Sequence, residues 1–202
     1  MRTLVLPFAV CLLFAGACHQ HPLTDYRPLV QAGVWSGGIE RLKGLNTSDA
    51  EVAQIVKLKQ GRVSDETCIA LISAARANQH PFNSADSVIN LAGARYADAD
   101  MLEFARANQL DSISGDAVML RLIGLADATV QVVLQRHLKG LPTMGTAEIG
   151  RLKNTGLTEK QILERINNGM TDEQADKEAA LREATRNHAH TDFVRVRGGK
   201  PR

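Results

Sequence analysis

The sequence predicts an all-α protein, an array of about four helical hairpins carried on a flexible N-terminal tether. Three observations lead there. The chain of 202 residues is 44% hydrophobic but holds one Trp, two Tyr and five Phe, so packing falls to Ala, Leu, Ile and Val, which suits helices meeting through small side chains. Four segments repeat without gaps, and each places a corner signal between two stretches of helical periodicity.

The repeat occupies the central region, residues 47–187. Its copies are LKQGRVSDETCIALI from Leu58, LAGARYADADMLEFA from Leu91, LRLIGLADATVQVVL from Leu120 and LKNTGLTEKQILERI from Leu152, at spacings of 33, 29 and 32 residues. The leading Leu closes one amphipathic helix, as the run Val52, Ile55, Leu58 and the pair Val88, Leu91 indicate. Four places on, Arg62, Arg95, Gly124 or Gly156 lets the chain leave the helix, and Val63, Tyr96, Leu125 or Leu157 plugs the corner. A small residue then precedes an acid: Ser64-Asp65, Ala97-Asp98, Ala126-Asp127, Thr158-Glu159. A hydroxyl there caps free amides, and a carboxylate meets the positive end of the helix dipole. Cys68, Met101, Val130 and Ile162 share one inward column; Ile72, Ala105, Leu134 and Ile166 share another. A fifth, incomplete copy restarts at Gly169, Met170, Thr171 and Asp172, and its helix of Ala, Glu, Lys and Arg reads as a polar cap for the array. Over about residues 47–180 the repeat resembles short helical-hairpin repeats of bacterial envelope lipoproteins of unassigned function, a likeness of architecture only.

Ahead of the array, residues 1–17 read as a secretion signal: Arg2, an apolar run from Leu4 to Ala15, then small residues. The run is shorter than the roughly 20 residues a spanning helix needs, and His19, Gln20 and His21 follow at once. Ala15-Gly16-Ala17-Cys18 resembles the lipobox of bacterial lipoproteins, departing from its commonest form by carrying Ala15 where Leu is usual. The resemblance implies a diacylglyceryl group, with palmitate-type chains, on the Cys18 thiol, cleavage before it, and acylation of the new amino terminus. It also implies the periplasmic face of the outer membrane, since His19 rather than Asp follows the cysteine. The alternative is an A-x-A cleavage site, which would leave Cys18 as the start of a soluble periplasmic protein. Each buried methylene of an acyl chain contributes about 0.8 kcal/mol, so two or three chains give lasting attachment.

Residues 18–46, with Pro22, Pro28 and several glycines, read as a tether lifting the body off the membrane. A short helix over Ile39–Lys43 fits within it, and Trp35 either docks on the first hairpin or touches the lipid interface, docking being the plainer reading. Residues 188–202 read as a flexible basic tail, with Arg195, Arg197, Lys200 and Arg202 against Asp192. Such a tail is solvated or meets anionic headgroups or acidic envelope polymer.

Chemistry is sparse. A formal charge of +2 gives no reason to expect a nucleic-acid partner. Cys11 leaves with the signal, and Cys68 sits at an apolar helical position, where a buried small hydrophobe is expected rather than a reactive thiol. His19 with His21 and His188 with His190 form H-x-H pairs lacking a third ligand; His80 and His137 follow helices; no metal site is expected. Ser64, Ser84 and Ser114 each stand where a helix would start, so capping accounts for them, and the dipole accounts for Asp98 and Asp100. Nucleotide-binding and nucleophile-elbow motifs do not occur, so no cofactor is expected and the chain is read as a non-enzyme. The partner classes are membrane lipid through Cys18 and an envelope protein or polymer, with Arg62, Arg95, Tyr96 and Phe104 as candidate contact residues at corners or exposed positions. The competing class is an enzyme or enzyme accessory acting on cell-wall polymer.

Overall fold

The computed structural model describes residues 24–198, with side chains to residue 187. Among these residues the chain is all helical, running α1 (Arg27–Gln31), α2 (Ser36–Gly44), α3 (Asp49–Gln60), α4 (Asp65–Ala77), α5 (Ala85–Gly93), α6 (Asp98–Arg106), α7 (Leu110–Leu122), α8 (Asp127–Leu138), α9 (Thr146–Asn154), α10 (Glu159–Asn167) and α11 (Asp172–Gly198). Helices pack mainly on the helix two places along the chain. One row is therefore α1, α3, α5, α7, α9, α11, and the other is α2, α4, α6, α8, α10, with α6 and α8 joined by the side-chain bonds of Gln131 to Asp100 and Gln135 to Glu103. Such a stack is quasi-one-dimensional, each hairpin resting on its neighbours.

Every corner is made the same way. The residue closing each of the ten inter-helix turns has positive φ: Gly33, Gly124, Gly140, Gly156 and Gly169, but also Asn46, Arg62, Gln79, Arg95 and Asn108. Just past it an amide reaches back to an orphan carbonyl, as Val63 N does to Leu58 O (3.0 Å) and Tyr96 N to Leu91 O (3.0 Å). The corner residues Val63, Tyr96, Leu125 and Leu157 are buried, and so are the leading leucines and both inward columns. Each such aliphatic side chain contributes roughly 1.5–3 kcal/mol on burial.

Helix N-termini are tied across repeats, a use of the acid column that exceeds the dipole. Asp65 at the start of α4 accepts the Trp35 amide at the start of α2 (2.9 Å), and Glu159 of α10 accepts the Ala126 amide ahead of α8 (3.0 Å). In the other row Asp172 of α11 accepts the Gly145 amide ahead of α9 (2.8 Å). C-termini are tied likewise: Arg76 donates to the carbonyls of Leu45 and Asn46 after α2, and Asn78 to that of Ala105 in α6. These bonds lock the register of one hairpin on the next.

Three expectations need correction. The array begins at α1, so most of the stretch read as tether is its first hairpin: Leu29 and Leu42 are fully buried, and α1 and α2 pack on α3 and α4. Leu29, Gly33 and Val34 are in fact another copy of the repeat, 29 residues before Leu58. Five hairpins and a closing helix result. At the other end α11 continues through Gly198, so the backbone of residues 188–198 is helical rather than a flexible tail. Of the serines expected to cap, Ser84 stands at the N-cap of α5 but makes no cap hydrogen bond, its hydroxyl donating to Asp111 instead, and Ser114 caps nothing. It lies inside α7 and is buried, because Ile113, Ala117 and Leu120 carry the inward face across the Ser-Gly-Asp stretch.

Candidate functional site

Cys18, His19 and His21 lie outside the described residues, and the side chains of His188 and His190 do too. Cys68, in α4, is buried; burial, the main cause, pushes its thiol up to about 12, and the nearby Lys59 charge opposes this without reversing it. A thiol so held stays protonated at neutral pH and acts as a small apolar side chain. No group of three His, Cys, Asp or Glu side chains that could hold a metal ion occurs among the described residues.

Two of the four candidate contact residues are core. Tyr96 and Phe104 are buried, their rings 6.3 Å apart edge to face. The Tyr96 hydroxyl donates to the Ala117 carbonyl at 2.7 Å, and the Arg121 guanidinium lies over its ring. Their aromatic character suits a surface anchor equally well, but Tyr96 is the corner plug of its repeat and burial follows from that column. Arg62 and Arg95 remain exposed at their corners. Ser64 caps α4, its hydroxyl accepting the Thr67 amide at 3.1 Å. Asp100 accepts the Ala97 amide (3.2 Å), while Asp98 accepts the Thr67 hydroxyl of the preceding repeat.

The buried carboxylate of Glu51 is the electrostatic centre of the near half. It accepts from Arg76 (2.5 Å), from the Ser48 amide and hydroxyl, and from the Phe82 amide (3.0 Å). Burial by itself raises its pKa, but Arg76 and the amides of Ser48 and Phe82 outweigh it, and the carboxyl is held below its ordinary value. With every partner supplied from within the chain, this is a fastening between α3, α4 and the α4–α5 loop.

Two of the concavities among the described residues border residues singled out by the sequence. One, of about 480 Å³, opens between the α4–α5 and α6–α7 loops, where His80 faces Ser84, Asn108 and Asp111. The His80 Nδ1 lies 2.9 Å from the Pro81 carbonyl and so carries the proton, while its Nε2 is buried and meets no partner among the described residues. Both Asp111 oxygens already accept hydroxyls, from Ser84 (2.9 Å) and Ser87 (2.6 Å). This crevice offers one buried ring nitrogen without a partner among the described residues.

The other concavity, about 1270 Å³, runs along the outer face of the first hairpin, lined in part by Tyr26, Val30, Ile39, Lys43 and Thr47. Trp35 stands at the N-cap of α2, the helix that lines this groove through Ile39 and Lys43. The corresponding positions of the other hairpins hold Ser64, Ala97, Ala126 and Thr158. The indole lies across the backbone of Gly37 and Gly38: a Cβ on Gly37 would fall inside the ring, and one on Gly38 would sit 2.9 Å from Nε1. One side of the indole is thereby seated on its own helix, rather than on the hairpin that follows Thr47, where docking is expected. Half of the residue nevertheless remains in solvent (50% exposed), as does Val30 at the same corner (64%). No described helix is long and apolar enough to cross a membrane.

Comparison with protein-family models, curated proteins and solved structures finds no match to this chain.

Proposed function

We propose that this chain is a lipid-anchored helical-repeat protein of a bacterial cell envelope, working as an interaction or structural module on the periplasmic face of the outer membrane. The observation that carries the reading is the Ala15-Gly16-Ala17-Cys18 boundary at the end of the Leu4–Ala15 apolar run. The fold is compatible with it in a specific way. The first helix of the described residues starts at Arg27, nine residues after Cys18 in sequence, so an anchor there would keep the first hairpin close to the membrane. Solenoid-like stacks of this kind bind partners along extended surfaces rather than in one deep cavity.

The test compares wild type with Cys18→Ser by Triton X-114 partitioning and by the mass of the mature N-terminus. Wild type is expected in the detergent phase, starting at residue 18 with a diacylglyceryl and an acyl adduct, and the variant in the aqueous phase. Equal partitioning removes the anchor from the account. A second reading, ligand capture or catalysis on cell-wall polymer, draws on the unpartnered His80 Nε2; a shift of the His80 imidazole NMR signals on adding glycan fragments would favour it.

A further inference from the structure

The first hairpin departs from the other four where departure costs stability. Its N-cap position has an exposed Trp in place of a small or hydroxyl-bearing residue, and its N3 position, where α6 and α10 have Asp100 and Gln161 reaching back to the N-cap amide and α4 and α8 have Thr67 and Thr129, holds Gly38. Glycine within a helix is less favourable than alanine by roughly 0.5–1 kcal/mol. What the departure secures is a fixed, flat indole with one face seated and the rest open. Among the described residues nothing accepts from its N–H, so the side chain presents an apolar ring with a free donor at its edge. Rings of that kind settle where hydrocarbon meets headgroups.

Its surroundings suit the same place. Val30 is exposed at the same corner, and Ile39 lines the adjoining groove. The two cations of the groove are paired, Arg27 with Asp25 (2.7 Å) and Lys43 with Glu40 (2.7 Å), and Asp49 in its lining accepts only the Asp25 amide among the described residues, so the charges there offer no unpaired cation to anionic lipid. Between Cys18 and Thr24 lie six steps of chain, at most about 20 Å when extended. A chain held by acyl groups at Cys18 cannot carry this hairpin far from the bilayer surface.

We propose that the first hairpin docks on the lipid surface through the Trp35–Val30 corner and the adjoining groove, so that the anchored protein stands on its membrane by this end. The proposal rests on lipid attachment at Cys18 for its native setting.

The single tryptophan makes the test direct. The native lipid-anchored chain is reconstituted in phosphatidylcholine vesicles. In parallel, a Cys18→Ser chain beginning at residue 18 is held on nickel-chelating lipid by an N-terminal hexahistidine tag. In both, Trp35 emission is expected to move to shorter wavelength and to lose most of its intensity when the acyl chains are brominated, with little dependence on salt or on anionic lipid. Val30→Ser keeps the fluorophore and is expected to weaken the quenching while helicity by circular dichroism stays unchanged. Unshifted, unquenched emission in the chelate-tethered chain with native helicity overturns the docking. So does a concentration-dependent shift without vesicles and without bromine quenching, which would assign the surface to a second copy of the chain. Quenching in the tethered chain, with no acyl adduct on the native one, would leave the docking standing and remove the lipidation.

Discussion

At its far end the array stops on α11, which turns Ala175 and Ala179 inward against α9 and otherwise carries mostly acidic and basic side chains, with Leu181 its one large exposed apolar residue among those described. At its near end it starts on α1 and α2, with Val30 and Trp35 in solvent and a groove between. The fastenings differ as well. The far end is latched by charge: Glu178 takes two hydrogen bonds from Arg165 (2.7 Å each) and one from Arg182 (2.8 Å), and Arg151 pairs with Asp176. The near end is held by buried Leu29 and Leu42 and by the Tyr26 hydroxyl on the Thr47 carbonyl (3.1 Å). A repeat array needs a polar face at each terminus to remain separate. Among the described residues only the far terminus has been finished in that way, and the other is the one nearer Cys18 in sequence.

The largest expected effect separates the middle of the stack from its ends. Leu120 and Leu29 occupy the same column and are both fully buried, yet Leu120 has hairpins on both sides and Leu29 on one. Leu→Ala in a core costs about 2–5 kcal/mol, more where the site cannot collapse. Leu120→Ala is expected near the top of that range and Leu29→Ala near the bottom, read from urea unfolding. Equal losses would mean that the terminal hairpin is as constrained as the middle.

Next comes the buried carboxylate. Glu51→Gln keeps the shape but leaves Arg76 without its counter-charge, and breaking a buried pair costs about 3–5 kcal/mol. Arg76 is a third exposed, so about 2–3 kcal/mol is expected. Because the folded-state pKa of Glu51 is depressed, its contribution is present above the ordinary value of 4.5 and is lost as pH falls below it. The pH dependence of unfolding below 4.5 should therefore flatten in the variant.

Glu178 follows the same sign with a smaller effect and a different location. Arg165, above all, and Arg182 hold its carboxyl below the ordinary 4.5, against a smaller opposing effect of burial. Glu178→Gln is expected to cost about 1–2 kcal/mol, as charge-assisted hydrogen bonds do. The loss should appear as faster amide exchange in α11 with α1–α4 unaffected, and acidification below pH 4.5 should release the far end in the same way. High salt should loosen α11 and leave the near end alone.

The corners and columns were legible because their causes are local. A Leu, a left-handed residue and an apolar plug within six positions determine a turn whatever lies beyond it, so Leu58–Val63 and Leu91–Tyr96 could be read directly. The first copy escaped the reading for an equally physical reason: Pro28 and the Gly37–Gly38 pair signal linker, and the Trp35 that explains the glycines takes the place of the small residue that marks the corner elsewhere. The ties across repeats, such as Asp65 on the Trp35 amide and Glu51 on Phe82, join residues about 30 apart and follow from how the rows stack. Tyr96 shows the limit from the other side: its column already implied burial, and only its place at a corner pointed outward.

The smallest effect on stability sharpens the comparison most. Gly37→Ala raises helix propensity in α2 by up to about 1 kcal/mol, but its Cβ would occupy the seat of the indole, so Trp35 must swing off the helix. The gain and the lost ring contact offset one another, and the unfolding midpoint should move little. The fluorescence should not stay still: with no backbone beneath it, the indole becomes more accessible to acrylamide and its anisotropy falls. On vesicles the same variant should show weaker quenching by brominated lipid, since a mobile ring must give up more rotamer freedom to settle at the interface. Unchanged accessibility in Gly37→Ala would show that the ring was never seated on the glycines, and the near end would then lose the feature that distinguishes it from the far one.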